Sequence, residues 1–338
     1  MIFDTHAHFY GETLFRHLAP RREVPRVEFD AGRRFMVTPT SRFELTGGFV
    51  SLPERLAWMG RQGIDRQLIT FPGALGADVL PIGESLALVR EVNDELAAIC
   101  AAHPARFVAL AGLPLADMEQ SARELERAVR VLGLAGAIIP SNFLQSLAGI
   151  ASLAPLLEVA DAVGAHLMLH PGQRHDESLA PKLYADLAMH RASTIDLHAG
   201  ITHALVSLIH SDAMQRFPNV TWQVVNLGGV FPFVVERMDH IVATRDPGAP
   251  RPSTLLGEIV FDCASLGPRA LELAVAVFGA DRVMFGTDYP IFTSNVSADA
   301  LASARLTPAE RELVASGTAR AVLSRQPRLQ PAEHQRQR

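Results

Sequence analysis

The chain runs to 338 residues, 48% of them apolar and 20% charged, a balance that suits a globular protein with a large buried core. A formal net charge of −5 and a pI of about 6.2 favour neither nucleic acid nor an anionic membrane surface, partners that call for a basic face. The two cysteines, Cys100 and Cys263, stand far apart and outside any CxxC pair, which excludes a disulfide framework.

In chain order, eight short β-rich apolar runs predict strands over residues 2–8, 67–71, 107–113, 135–139, 166–170, 221–226, 258–263 and 282–285. Helical periodicity separates most of them. Residues 85–103 set Leu88, Val92, Leu96 and Ile99 on one stripe and stop before Pro104, and residues 118–132 repeat Ala122, Leu125, Val129 and Leu132. Eight strands alternating with helices is the count of an α/β fold closed as a (β/α)8 TIM barrel rather than an open sheet. Two stretches interrupt the alternation. Residues 11–48, rich in Arg, Pro and Gly, follow the first strand as a small insertion, a loop or hairpin over the barrel mouth. Residues 172–198, polar with scattered histidines, follow the fifth strand as a second wall of that mouth. The pattern gives one barrel over residues 1–324 without an internal boundary. The tail, residues 325–338, has almost no core-forming side chains and reads as disordered. No uninterrupted apolar window reaches about 18 residues, and the start MIFDTHAHF lacks the basic and apolar regions of a signal peptide, so the expected location is the cytoplasm, with no membrane partner.

Chemistry in such a barrel gathers at the C-terminal ends of the strands. The first strand ends in His6-Ala7-His8, and strand alternation puts both imidazoles on one face. The fifth is an apolar run, Leu167-Met168-Leu169, that stops at His170, and the eighth leads through Phe285-Gly286-Thr287 to Asp288. Three neutral imidazoles and a carboxylate make a site typical of Zn²⁺ with room for a bound water. One divalent ion is expected, zinc first, with manganese or iron as alternatives.

Taken together, DTHAHF, HPARFVALAGLPL, LMLHPG, RFPNVTWQVVNLGGVFPFVVERMD and DRVMFGTDYP make nearly the whole chain resemble the amidohydrolase superfamily. The resemblance is to its amidohydrolase-related branch, typified by aminocarboxymuconate-semialdehyde decarboxylase. It implies a metal on His6, His8, His170 and Asp288. Members that decarboxylate hydroxybenzoates often carry a glutamate where His6 stands, so His6 leans toward the zinc type. Binuclear members of the superfamily need a carbamylated lysine on the fourth strand. Here that strand reads AGAIIPSN, and the only lysine, Lys182, lies beyond the fifth, which implies a mononuclear site.

One position departs from the pattern. The branch ends its sixth strand in a histidine that acts as general base, and this chain has Asn226. An amide can hold a water by hydrogen bonds but has no titratable proton near neutral pH, and losing a positioned base costs roughly 10²–10⁴-fold in rate. Three readings stay open. Another group takes the proton, either Asp288 or one of His175, His198 and His210. Or the reaction needs only polarisation by the metal plus an orienting amide. Or the chain binds metal and ligand with little turnover.

The resemblance also implies a small carboxylate substrate held by arginines. One comes from the loop after the first strand, Arg42 with Arg34 as alternative, and one from a neighbouring subunit, Arg237, which implies a homodimer. Phe71, Phe292 and Trp222 are candidates to line an aromatic pocket, with Trp222 leaning to the core, and Asp262 to hydrogen-bond a ligand or the metal's own ligands. The leading expectation is a metal-dependent lyase or decarboxylase acting on a small carboxylated aromatic or unsaturated acid through metal-bound water. A hydrolase or hydratase on the same site is the alternative, because the ligands alone do not choose between C–C and C–X cleavage.

Overall fold

The computed structural model describes residues 1–38, 41–177 and 186–325. Its strands in chain order are β1 (Phe3–His8), β2 (Arg26–Asp30), β3 (Arg33–Val37), β4 (Arg42–Glu44), β5 (Arg66–Thr70), β6 (Phe107–Leu110), β7 (Gly136–Pro140), β8 (His166–His170), β9 (Thr221–Val224), β10 (Val260–Asp262) and β11 (Val283–Met284). All eight runs marked by the sequence are strands, and all eight are parallel. One sheet has the order β1-β5-β6 and a second the order β11-β10-β9-β8-β7. Two single bridges join them, Ala111 to Ala137 and Ala7 to Tyr289, supported by Ala111 N–H to the Gly136 carbonyl and Thr5 N–H to the Phe285 carbonyl, each at 2.8 Å. The result is a closed (β/α)8 barrel.

Strands such as Gly136–Pro140 and His166–His170 are buried along their whole length. Helices cover their outer face and side chains fill the barrel, so they read as continuous apolar runs. Outside, the helix Met118–Arg130 starts where the Asp117 carboxylate caps Gln120 N–H at 3.0 Å, and it buries Leu125 and Val129. β9 ends at Val224, earlier than the sequence pattern suggests. Asn226 and Leu227 take left-handed backbone angles (φ 51° and 54°) that no strand accommodates.

The barrel interior is partly polar, and several of its buried groups pair with one another. Asp4 accepts from Gln67 Nε2 at 2.7 Å and Thr287 Oγ1 at 2.6 Å. His166 Nε2 donates to Gln223 Oε1 at 2.7 Å, and Gln223 Nε2 donates to Asp262 Oδ2 at 2.7 Å.

The segment after β1 corrects the expectation of a loop or hairpin. It holds a helix, Glu12–Leu18, then the antiparallel sheet β2-β3-β4, then a short helix, Gly47–Val50. Val27 and Met36 pair across β2 and β3 and are buried in the core, while the Arg42–Glu28 and Arg33–Glu44 pairs and Arg42 stacked over Phe35 join the three strands through their other side chains. The disorder expected of the tail falls on residues 326–338, outside the described residues. Among the described residues no helix is long and apolar enough to cross a membrane.

Candidate active site

Alternation along β1 turns Asp4, His6 and His8 to the barrel interior. Each candidate imidazole is tied through Nδ1. His6 Nδ1 lies 2.9 Å from Asp262 Oδ1, His8 Nδ1 2.7 Å from Thr70 Oγ1, and His170 Nδ1 2.9 Å from the Pro171 carbonyl. Carboxylate and carbonyl accept only, so Nδ1 of His6 and His170 carries hydrogen and Nε2 is the atom left to bind an ion. Asp288 comes to the same point because its N–H binds the His6 carbonyl at 2.8 Å and its backbone turns left-handed (φ 59°), which a short acidic side chain tolerates.

One ligand atom from each of His6, His8, His170 and Asp288 lies within 4.8 Å of all the others. Asp288 Oδ1 stands 3.3 Å from His8 Nε2 and 3.7 Å from His6 Nε2. Donors around a tetrahedral ion at about 2.0–2.2 Å stand roughly 3.3 Å apart. His6 Nε2 and Asp288 Oδ1 are buried and have no hydrogen-bond partner among the described residues. Buried polar atoms without partners are costly, and a shared cation is the partner that suits this donor set.

Electrostatics divide the three rings. Burial works against charge on His6, yet Asp262, then Asp288 and Asp4, outweigh it and raise His6 to about 9. His8 is lowered by burial despite help from Asp288, and His170 lies well below its ordinary value through burial and the neighbouring His8 and His6. Without an ion, the cluster therefore holds its proton on His6.

A cavity of about 580 Å³ opens over His8, His170 and Asp288. Its walls are mostly apolar: Tyr10, Phe43 and Phe49 from the segment after β1, Leu197 from the start of its helix, and Leu75 and Phe292. Tyr10 and Phe49 meet edge to face at 4.8 Å between centroids. Asn226, Ser265 and His198 add polar groups. Among the described lining residues there is no lysine or arginine. A larger groove, about 800 Å³, lies at the opposite end of the barrel, where the N-terminal ends of β9 and β10 contribute Thr221 and Val260, and it contains none of these residues.

Asn226, Asp288, His198 and Phe292 all line the cavity. Asn226 Nδ2 donates to the Ala264 carbonyl at 3.0 Å, and its N–H reaches Asp262 Oδ1 at 3.3 Å. Other expectations need correcting. His175 is exposed against Phe143, outside the cavity, and His210 closes its helix with Nδ1 2.8 Å from the Val206 carbonyl. Arg42 turns away from the cavity, with Nε 3.1 Å from Glu28 Oε2 and its guanidinium 3.7 Å over Phe35. Arg34 likewise pairs with Glu12 at 3.0 Å. Phe71 is buried in the core rather than lining the cavity, and Trp222 is in the core, the role toward which its sequence leans. Of the two roles open to Asp262, the geometry fits the second: it hydrogen-bonds the candidate ligand His6. Arg237 is exposed on the helix Phe231–Arg245 and is not among the residues lining the cavity.

Arg55, not marked in the sequence, is a fully buried arginine whose Nη1 donates to Gln67 Oε1 at 2.7 Å and whose Nη2 donates to the His8 carbonyl. The signal was present: Arg55 shares the helical stripe of Leu52, Leu56 and Met59, where an apolar residue is expected.

The amidohydrolase family model (Amidohydro_2) matches residues 3–325. The 2-amino-3-carboxymuconate-6-semialdehyde decarboxylase of Dictyostelium discoideum is 29% identical over 70% of this chain and 66% of its own length. A gamma-resorcylate decarboxylase of a Polaromonas species is 25% identical over 78% of this chain and 85% of its own. Among solved structures, 5-carboxyvanillate decarboxylase from Sphingomonas paucimobilis superposes with a TM-score of 0.75 at 24% identity, covering 95% of this chain and 98% of that one. A dihydroxybenzoic acid decarboxylase from Polaromonas, with bound manganese and the inhibitor 2-nitroresorcinol, gives 0.72 at 20% identity, covering 98% of each.

Proposed function

The chain belongs to the amidohydrolase family, and from that premise we propose that it is a metal-dependent decarboxylase of a small carboxylated aromatic or unsaturated acid. The observation that carries the reading is the convergence of four donors, three of them imidazoles, within 4.8 Å at the mouth of a cavity walled by Tyr10, Phe43, Phe49 and Phe292. The decarboxylase activities named for the similar Dictyostelium and Polaromonas proteins support the reaction class.

His6, His8, His170 and Asp288 would hold one divalent ion, and that ion supplies Lewis acidity toward the oxygens of the acid. We take zinc as the ion, since three neutral imidazoles and one carboxylate suit it, although manganese is bound in the Polaromonas structure. The protein's own groups do the rest. Asp262 and Thr70 hold His6 and His8 in place, and the aromatic wall excludes water from the reacting carbon. The Asn226 amide, its NH₂ already given to Ala264, offers Oδ1 to a substrate hydroxyl.

The carboxylated face of the substrate needs a cation that the described walls do not provide. We assign that part to Arg237 of a second copy: it is exposed and has no ion pair among the described residues. The cytoplasmic location remains part of the proposal, from its free cysteines Cys100 and Cys263.

Release of CO2 from 2,6-dihydroxybenzoate or 5-carboxyvanillate by metal-loaded protein, lost on chelation, tests the reading. Water incorporated into product without CO2 would replace it with a hydrolase or hydratase. Tight metal retention with no turnover would replace it with a metal-binding protein.

A further inference from the structure

Asn226 has no proton to give, so a decarboxylation at this site needs another donor. We propose that His198 is the catalytic acid, delivering a proton from Nε2 to the ring carbon that loses its carboxylate. The inference rests on the decarboxylase reading above.

Three observations on the fold carry it. First, the opening turn of the helix Leu197–His210 is clipped to the loop after Asn226. Thr202 Oγ1 donates to the His198 carbonyl at 2.8 Å, lies 3.3 Å from the Gly228 carbonyl and accepts Val230 N–H at 2.9 Å. Gly229 (φ +70°) lets the two backbones touch, since a Cβ there would stand 2.2 Å from the His198 carbonyl oxygen. Second, His198 and Asn226 both line the cavity that contains His8, His170 and Asp288, whereas His175 and His210 do not. Third, the ring has one task left. Nδ1 lies 2.6 Å from the Thr194 carbonyl, which only accepts, so Nδ1 carries hydrogen. Nε2 is buried and has no partner among the described residues.

The step balances. The His198 imidazolium forms a C–H bond at the carboxylated carbon, the C–C bond to the carboxylate breaks, and its electron pair restores the ring as CO2 leaves. Neutral His198 then regains its proton once the product has left and water enters the cavity. Asp288, occupied as a candidate ligand, is not required to move a proton.

The test compares metal-loaded wild type with His198→Ala on 2,6-dihydroxybenzoate and 5-carboxyvanillate. Expected is a fall in kcat of roughly 10²–10⁴-fold, with KM and bound metal little changed, and partial recovery on adding free imidazole. A merely structural role would not give that recovery. Ring ¹⁵N spectra of zinc-loaded wild type provide a readout independent of turnover and of any variant's folding. On binding 2-nitroresorcinol, the His198 Nε2 signal should move while Nδ1 stays. His198→Ala with wild-type kcat, no recovery with imidazole, or an unmoved Nε2 in the ligand complex would each overturn the assignment. Those results leave the decarboxylase reading standing. A wild type that releases CO2 from neither acid sinks that reading, and this inference with it.

Discussion

His6 is pulled two ways. As a candidate ligand it must offer a bare Nε2, yet Asp262 at 2.9 Å and the carboxylates of Asp288 and Asp4 hold a proton on the ion-free ring up to about pH 9. An incoming cation therefore displaces one proton, while His8 and His170, already neutral, release none. Apparent metal affinity should rise about tenfold per pH unit from 6.5 toward 9, measurable by chelator competition across that range. Stability of the stripped protein follows the same proton. The folded-state value of His6 is raised, so its contribution is complete below about 6.5 and is lost as pH rises through about 9. Asp78, pushed up to about 8 by burial, titrates with or without metal. The difference in Tm between loaded and stripped protein should thus widen between pH 6.5 and 9, and a constant difference would contradict the raised His6. Replacing Asp262→Asn removes the charge that orients His6, and metal affinity should fall by about 10–100-fold in the same competition assay. The four donors were legible in the sequence because each closes a buried strand or its immediate extension, where direction is set locally. Arg42, His175 and His210 were not, because their directions depend on partners: Glu28, Phe143 and a helix's own carbonyl.

Strands and loops differed in the same way. Parallel strands covered on both sides spell themselves as apolar runs, and all eight were placed within a few residues. β2, β3 and β4 carry alternating Arg and Glu whose pairing, Arg42 with Glu28 and Arg33 with Glu44, exists only across the sheet, so single-strand patterning did not reveal them. Their aromatic underside makes a clear prediction. Phe49 is buried against Tyr10 and Phe43, and Phe49→Ala should destabilise the protein by about 3–5 kcal/mol in chemical denaturation while raising KM. At the opposite wall, Gly229→Ala forces a Cβ into the His198 carbonyl from a left-handed backbone. It should separate the helix Leu197–His210 from its loop and lower kcat with little change in metal content, read by steady-state kinetics and metal analysis.

The helix Phe231–Arg245 leaves Phe233 80% exposed and Ile241 36% exposed, one turn on either side of exposed Arg237, a stripe at helical spacing. If a second copy covers it, light scattering should report a dimer, and Phe233→Asp should yield a monomer with raised KM. A fully active monomer would remove Arg237 from the site. The barrel itself was legible from a count of strands, but where it closes was not, since closure depends on register between residues at opposite ends of the chain.

That closure has a consequence for assembly. β1 and the segment after β11 meet through one bridge, a few backbone hydrogen bonds and the Asp4–Thr287 contact, which joins residues 283 positions apart. His6 and His8 stand on one side of this join and Asp288 on the other. A bound cation would fasten the first strand to the last as a rivet fastens a hoop, cancelling the large loop entropy of a nearly full-length circle. Stripped of metal, the protein should unzip there first, with amide exchange quickening along residues 3–8 and 283–289 while the strands on the far side keep their protection.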